Sequence, residues 1–127
     1  ALGAIWDYGA TWERRRYLRP TSPVSVPAFQ LAWVMGAEGF EAALEKARTF
    51  TLANVMPRIR CPLLIVYGAE DRQIPLADAE QAFQPAIGTA IKELKVFTAT
   101  EGGTQHCQLD NRSLAIDYTT DWVADHL

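Results

Sequence analysis

"CPLLIVYGAEDRQIP", Cys61 to Pro75, decides the fold. Leu63 to Tyr67 is an unbroken apolar run with Pro62 before it and Gly68 after it, the pattern of a strand buried on both faces of a parallel sheet. Pro62 falls at the start of that strand, where its missing N–H does least harm. Beyond the loop, Pro75 suits a first helical turn, and "PLADAEQAF" sets Leu76, Ala79, Ala82 and Phe83 on one helical face. "KELKVFTAT" then alternates Leu94, Val96 and Thr98 against Lys95, Phe97 and Ala99, which predicts a second strand with one richer face. "DNRSLAIDYTTDWVADHL" places Leu114, Tyr118 and Trp122 at i, i+4 spacing, with Asp110 or Asn111 available as N-cap of a terminal helix. Strand, helix, strand, helix implies an α/β fold, a short parallel sheet flanked by helices.

Working back from there, "FEAALEKARTF" carries Phe40, Ala43, Leu44 and Ala47 on one stripe, and Gly36 and Gly39 break the segment begun by "AFQLAWVM". Pro20, Pro23 and Pro27 in "LRPTSPVSVP" favour an extended connection. The opening "ALGAI" reads as a further strand, which brings the expected sheet to about three strands. The organisation expected is one partial domain: 1–19 a strand-like segment and loop, 27–56 a helical segment with Trp33, Phe40 and Phe50 in its packing, and 59–127 the strand–helix–strand–helix unit.

A chain of 127 residues is one domain or less. With 49% apolar and 21% charged residues it can bury a core and lacks the composition of disorder. A net charge of -3 argues against nucleic acid, whose phosphates call for clustered cations. The one basic run, "ERRRYLR" (Glu13–Arg19), is short and reads first as a solvated face, with an anion or partner contact as the alternative. Two cysteines, Cys61 and Cys107, do not make a disulfide scaffold; reduced thiols in a cytoplasm are expected. No apolar run of about 18 residues suggests a membrane span, and no signal core is present. No ligand cluster suggests a metal, and no cofactor is expected.

Two loops leave the carboxyl ends of predicted strands, where parallel sheets place reacting groups. "GAEDRQIP" offers Asp71, and "TATEGGTQHCQLDN" (Thr98–Asn111) offers His106 behind two glycines. A carboxylate bound to one imidazole nitrogen fixes the tautomer and leaves the other nitrogen to take a proton from a nucleophile. The two residues are 35 positions apart, with one helix and one strand between, so adjacent parallel strands would set their loops side by side. Gly102 and Gly103 would let the backbone turn at positive φ to aim the imidazole. The plainer alternatives are that Asp71 caps a turn and that His106 is a polar loop residue. Glu70 is a weaker candidate, pointing the other way from its neighbour.

"IRCPLLIVYGAEDRQIPLADAEQAF", followed by a strand and "EGGTQHCQLDNRSLAIDYTTDWVADHL", resembles the C-terminal part of an α/β hydrolase, in the branch of 2,6-dihydropseudooxynicotine hydrolase and related C–C bond hydrolases and esterases. The resemblance implies a triad acid at Asp71, in a G-x-x-D-x-x-x-P turn formed with Gly68 and Pro75, and a catalytic histidine at His106. It implies that "ALGAIWDYG" is the sixth strand and its loop, and that 27–56 is a cap. Trp6, Tyr8 and Trp12 would then line the substrate pocket, with core or cap packing as the alternative.

One element of that pattern is absent. The family's serine sits in a G-x-S-x-G elbow ahead of the acid and the base, and Ser22, Ser25 and Ser113 each lack the glycines. The chain is therefore expected to start just after the nucleophile and to be nearly inactive alone. Cys107 adjoins His106 but reads as a small buried thiol, and Ser113 as a capping residue. Two functions follow as expectations. One is the acid–base portion of a hydrolase of an ester or ketone substrate. The other is a non-catalytic scaffold that self-associates through an unpaired strand edge as a homo-oligomer.

Overall fold

The computed structural model describes residues 1–18, 27 and 29–126, which form two compact units. Pro20, Pro23, Ser22 and Ser25 lie outside the described residues. Among the described residues no helix is long and apolar enough to cross a membrane.

The first unit, Ala1–Trp6 with the chain from Ala53 onward, is α/β. Strand β1 (Leu63–Gly68) pairs in parallel with β2 (Lys92–Phe97), in a register running from Leu63 opposite Lys92 to Gly68 opposite Phe97. All six residues of β1 are buried, as the apolar run requires of a strand covered on both faces. Helix α4 (Leu76–Phe83) joins the strands, and helix α5 (Arg112–His126) ends the described chain. Leu64 and Val66 pack with Phe97, Ala115 and Trp122, flanked by Leu114 and Tyr118. Each large side chain so buried contributes about 1.5–3 kcal/mol. Alternation sends Tyr67 to the other face, where its hydroxyl donates to the Pro75 carbonyl at 3.1 Å, at the start of α4. Pro75 therefore precedes the helix in extended conformation as its N-cap rather than entering the first turn.

The richer face of β2 is the one that carries Phe97. Phe97 is 1% exposed, while Leu94 and Val96 are half-buried, because α5 covers the side carrying Glu93, Lys95 and Phe97. Glu93 is drawn in by the helix: it accepts hydrogen bonds from the Trp122 indole N–H at 2.9 Å and from the Tyr118 hydroxyl. The bond to Glu93, with burial adding to it, pushes the Tyr118 phenol up to about 12.

The sheet has two strands rather than about three. "ALGAI" makes a single parallel bridge, Leu2 to Val66, on the edge of β1 away from β2. The Ala1 carbonyl accepts from Val66 N–H at 2.9 Å and Gly3 N–H donates to the Val66 carbonyl at 3.3 Å. Gly3 then adopts φ +58, a left-handed turn that takes the chain out of extended geometry and ends the pairing after one residue.

The second unit, Asp7–Leu52, is helical. The segment expected as a loop after the first strand is helix α1 (Tyr8–Leu18). Asp7 starts it, its Oδ1 accepting from Ala10 N–H at 2.8 Å and its carbonyl from Thr11 N–H at 3.0 Å. Helices α2 (Gln30–Met35) and α3 (Phe40–Ala47) follow, α2 ending at Gly36 with φ +55. Trp12, Leu31, Ala43, Leu44 and Ala47 form the core, and Tyr8, Met35 and Phe40 pack against it. Trp33 and Phe50, expected in this packing, are 78% and 56% exposed. Two positions along a helix turn the side chain by about 200°, so with Leu31 inward Trp33 faces out. The basic run serves this unit: Arg16 pairs with Glu41 at 2.8 Å, and Arg15 lies over the Trp12 ring at 5.3 Å.

Candidate active site

Level strand ends bring the acid and histidine loops together. Gly68 and Phe97 are register partners, and Ala69 N–H continues the ladder to the Phe97 carbonyl at 2.9 Å. The loops after β1 and β2 therefore leave the same edge of the sheet. Gly68 allows the second to lie on the first, because a Cβ there would stand 2.2 Å from the Thr104 carbonyl oxygen.

Asp71 and His106 meet there. Asp71 Oδ2 lies 2.8 Å from His106 Nδ1, with the aspartate side chain 2% exposed and the imidazole 26% exposed. The other carboxylate oxygen, Oδ1, accepts from Gln73 N–H at 2.8 Å and from Ile74 N–H at 3.0 Å, so the acid is fixed by its own turn. An ionised carboxylate only accepts, which places a proton on Nδ1 and leaves the Nε2 lone pair open. Among the described residues Nε2 has no hydrogen-bond partner. The arrangement can take a proton at Nε2 and hold the resulting imidazolium beside a buried anion.

The histidine loop turns on left-handed backbone, with φ +85 at Gly102, +75 at Gly103, +50 at Cys107 and +52 at Gln108. The glycines do so without penalty. His106 opens a short 3-10 turn, His106–Gln108, ahead of α5.

No protein-family model matches the chain, and no curated protein matches it either. The site is therefore read from its own chemistry.

The other candidate residues fall as follows. Burial, with the Asp71 charge adding to it, pushes the Cys107 thiol up and keeps it protonated, the reverse of an activated nucleophile. Ser113 is exposed in the first turn of α5, and the cap is Asn111, whose Oδ1 accepts from Leu114 N–H at 3.5 Å. Trp6 is half-buried and borders a hollow of about 500 Å³ with Ala77, Glu80 and Gln84. Its backbone N–H donates to Asp78 at 3.3 Å. Tyr8 and Trp12 belong to the helical unit, edge to face at 6.3 Å, with Trp12 3% exposed. His126, whose ring nitrogen meets the Trp122 carbonyl at 2.8 Å, stacks on the Trp122 ring. Among the described residues no three metal-ligating side chains converge.

Sequence reasoning missed what surrounds the pair. Glu70 turns to Thr104 and Gln105, and Asp110 caps the histidine loop instead of α5. The available signal was two carboxylates flanking a loop rich in small polar residues, a pattern too common to assign a role.

Proposed function

We propose that Asp71 and His106 are the acid and base of a Ser-His-Asp hydrolase of ester or carbon–carbon bonds, completed by a nucleophile outside these 127 residues. The observation that carries the reading is the 2.8 Å contact between His106 Nδ1 and an aspartate fixed by two backbone donors, with Nε2 left open. The parallel order of Leu2 bridge, β1 and β2 agrees with the last three strands of the α/β-hydrolase fold that the sequence resembles. In this reading Trp6, half-buried, retains surface for substrate, and Trp12 is given to packing in the helical unit.

The test is p-nitrophenyl acetate turnover by the chain and by His106→Ala. Equal, near-background rates are expected, since elbow and oxyanion hole are supplied together elsewhere. Fast turnover abolished by the substitution would place a nucleophile inside the chain and overturn the divided triad. The gene's coding sequence on the amino-terminal side is expected to encode an in-frame G-x-S-x-G, and a full reading frame without one would count against the hydrolase.

A second reading, a self-associating scaffold, is favoured by the edge at Leu2. The bridge uses the Ala1 carbonyl and the Gly3 N–H, so the backbone groups of Leu2 point away from β1. Leu2 is 57% exposed beside a groove of about 390 Å³ shared with Ala115, Ile116 and Thr119. Such an edge templates pairing with another chain. Light scattering is expected to show dimers or larger species, and a stable monomer at high concentration would remove this reading.

A further inference from the structure

The loop that aims His106 carries backbone strain on the C-terminal side of the histidine. Cys107 and Gln108, immediately after the histidine, sit in the left-handed region at φ +50 and +52, where a residue with a Cβ costs about 1–2 kcal/mol. Immediately before it, the two backbone N–H groups of Thr104 and Gln105 both end on one carboxylate. Asp110 Oδ2 accepts from Thr104 N–H and Asp110 Oδ1 from Gln105 N–H, each at 2.9 Å. The Thr104 hydroxyl lies 3.4 Å from Asp110 Oδ2 and 3.3 Å from Glu70 Oε2. Glu70 steadies the same two residues from the acid loop, accepting from Gln105 Nε2 at 3.2 Å while its own N–H donates to the Thr104 carbonyl at 3.0 Å. Desolvation opposes ionisation of Asp110, yet the bonds from Gln105 and Thr104 outweigh it and hold the carboxyl below the usual range.

We infer that Asp110 is a positioning residue for His106: by clamping the N–H groups of Thr104 and Gln105 it fixes the backbone from which the imidazole projects and keeps Nδ1 within reach of Asp71. This deepens the proposed acid–base pair and rests on it. The two N–H groups reach different oxygens of Asp110, so a side-chain amide in the same place would set its NH2 against one of them. The placement also ties the loop to α5, because Asn111, which caps that helix, follows Asp110 directly.

The experiment uses the isolated chain and reads the low-field Nδ1–H resonance of His106 by NMR, with helix content followed by circular dichroism. The wild-type protein is expected to show this proton in slow exchange. Asp110→Asn, nearly the same shape but with one acceptor in place of two, is expected to keep its helix content and to lose the resonance or exchange it about tenfold faster or more. Asp110→Glu, which restores two oxygens, is expected to recover part of the protection. A folded Asp110→Asn protein with unchanged resonance and exchange overturns the role of Asp110 and leaves the pair intact. Absence of the resonance from the wild-type protein removes the pair, and the inference with it. Should Asp110→Asn not fold, wild-type exchange decides: the Gln105 amide and the His106 Nδ1 proton must open together, with opening constants agreeing within about threefold. An Nδ1 proton that opens independently of Gln105 overturns the inference.

Discussion

Asp71→Asn is expected to invert the tautomer of His106. In the wild-type protein Oδ1 takes two backbone donors, Gln73 N–H and Ile74 N–H, while Oδ2 faces the imidazole. The asparagine oxygen must stay on the two backbone donors, since an amide NH2 there would set donors against donors. Its NH2 then points at Nδ1, which has to accept, and the ring proton moves to Nε2. Nitrogen-15 shifts of the imidazole are expected to report Nδ1–H in the wild-type chain and Nε2–H in the variant. A variant still protonated at Nδ1 would mean that the turn does not fix the acid. In the nucleophile-containing protein proposed above, the wrong tautomer would remove the base, and turnover should fall about 10⁴-fold, as for the same change in a serine-protease triad.

Gly68→Ala is expected to damage fold and site together. The added methyl would lie 2.2 Å from the Thr104 carbonyl oxygen, 2.4 Å from its carbon and 2.7 Å from the Gln105 carbonyl oxygen. All three are backbone atoms, so neither loop can relieve the clash by turning a side chain. Either the end of β1 or the histidine loop must shift, at about 3 kcal/mol, the upper end of the usual overpacking cost. A urea melt should show the lost stability, and the low-field His106 resonance should vanish with it. Gly36→Ala is the control: among the described residues no atom beyond its chain neighbours lies within 4 Å of its Cβ position, leaving only the strain of φ +55, about 1–2 kcal/mol. Equal losses at the two positions would refute the steric account of Gly68.

The parallel unit was legible because its signals are local and strong. Leu63 to Tyr67 can satisfy its apolar side chains only by burial on both faces, and the glycine pair before His106 needs the positive φ it adopts. The contact between Asp71 and His106 was expected from parallel order and loop position together with the hydrolase-like acid turn. Helix α1 was not legible. "YGATWERRRYL" is polar on almost every side, and what holds it is Trp12 in a three-helix core and Arg16 on Glu41, both long-range. The inward turn of Glu93 was hidden for a related reason: a carboxylate on a strand reads as surface until a helix brings Tyr118 and Trp122 over it. The bonds to Asp110 form in a loop that is left-handed at Cys107 and Gln108, residues with little preference for that region, so its turn could not be read from the sequence.

The 35-residue separation of Asp71 and His106 is spanned by one helix and one strand. Closing a segment of that length carries a modest entropic cost, which grows only with the logarithm of its length. A contact 35 residues apart in a chain of 127 is non-local, and parallel pairing of this kind forms slowly, so the hydrogen-bonded couple should mature at the rate at which the single strand–helix–strand crossover condenses. Sequence changes confined to α1, α2 or α3 should leave that rate unaltered in stopped-flow refolding.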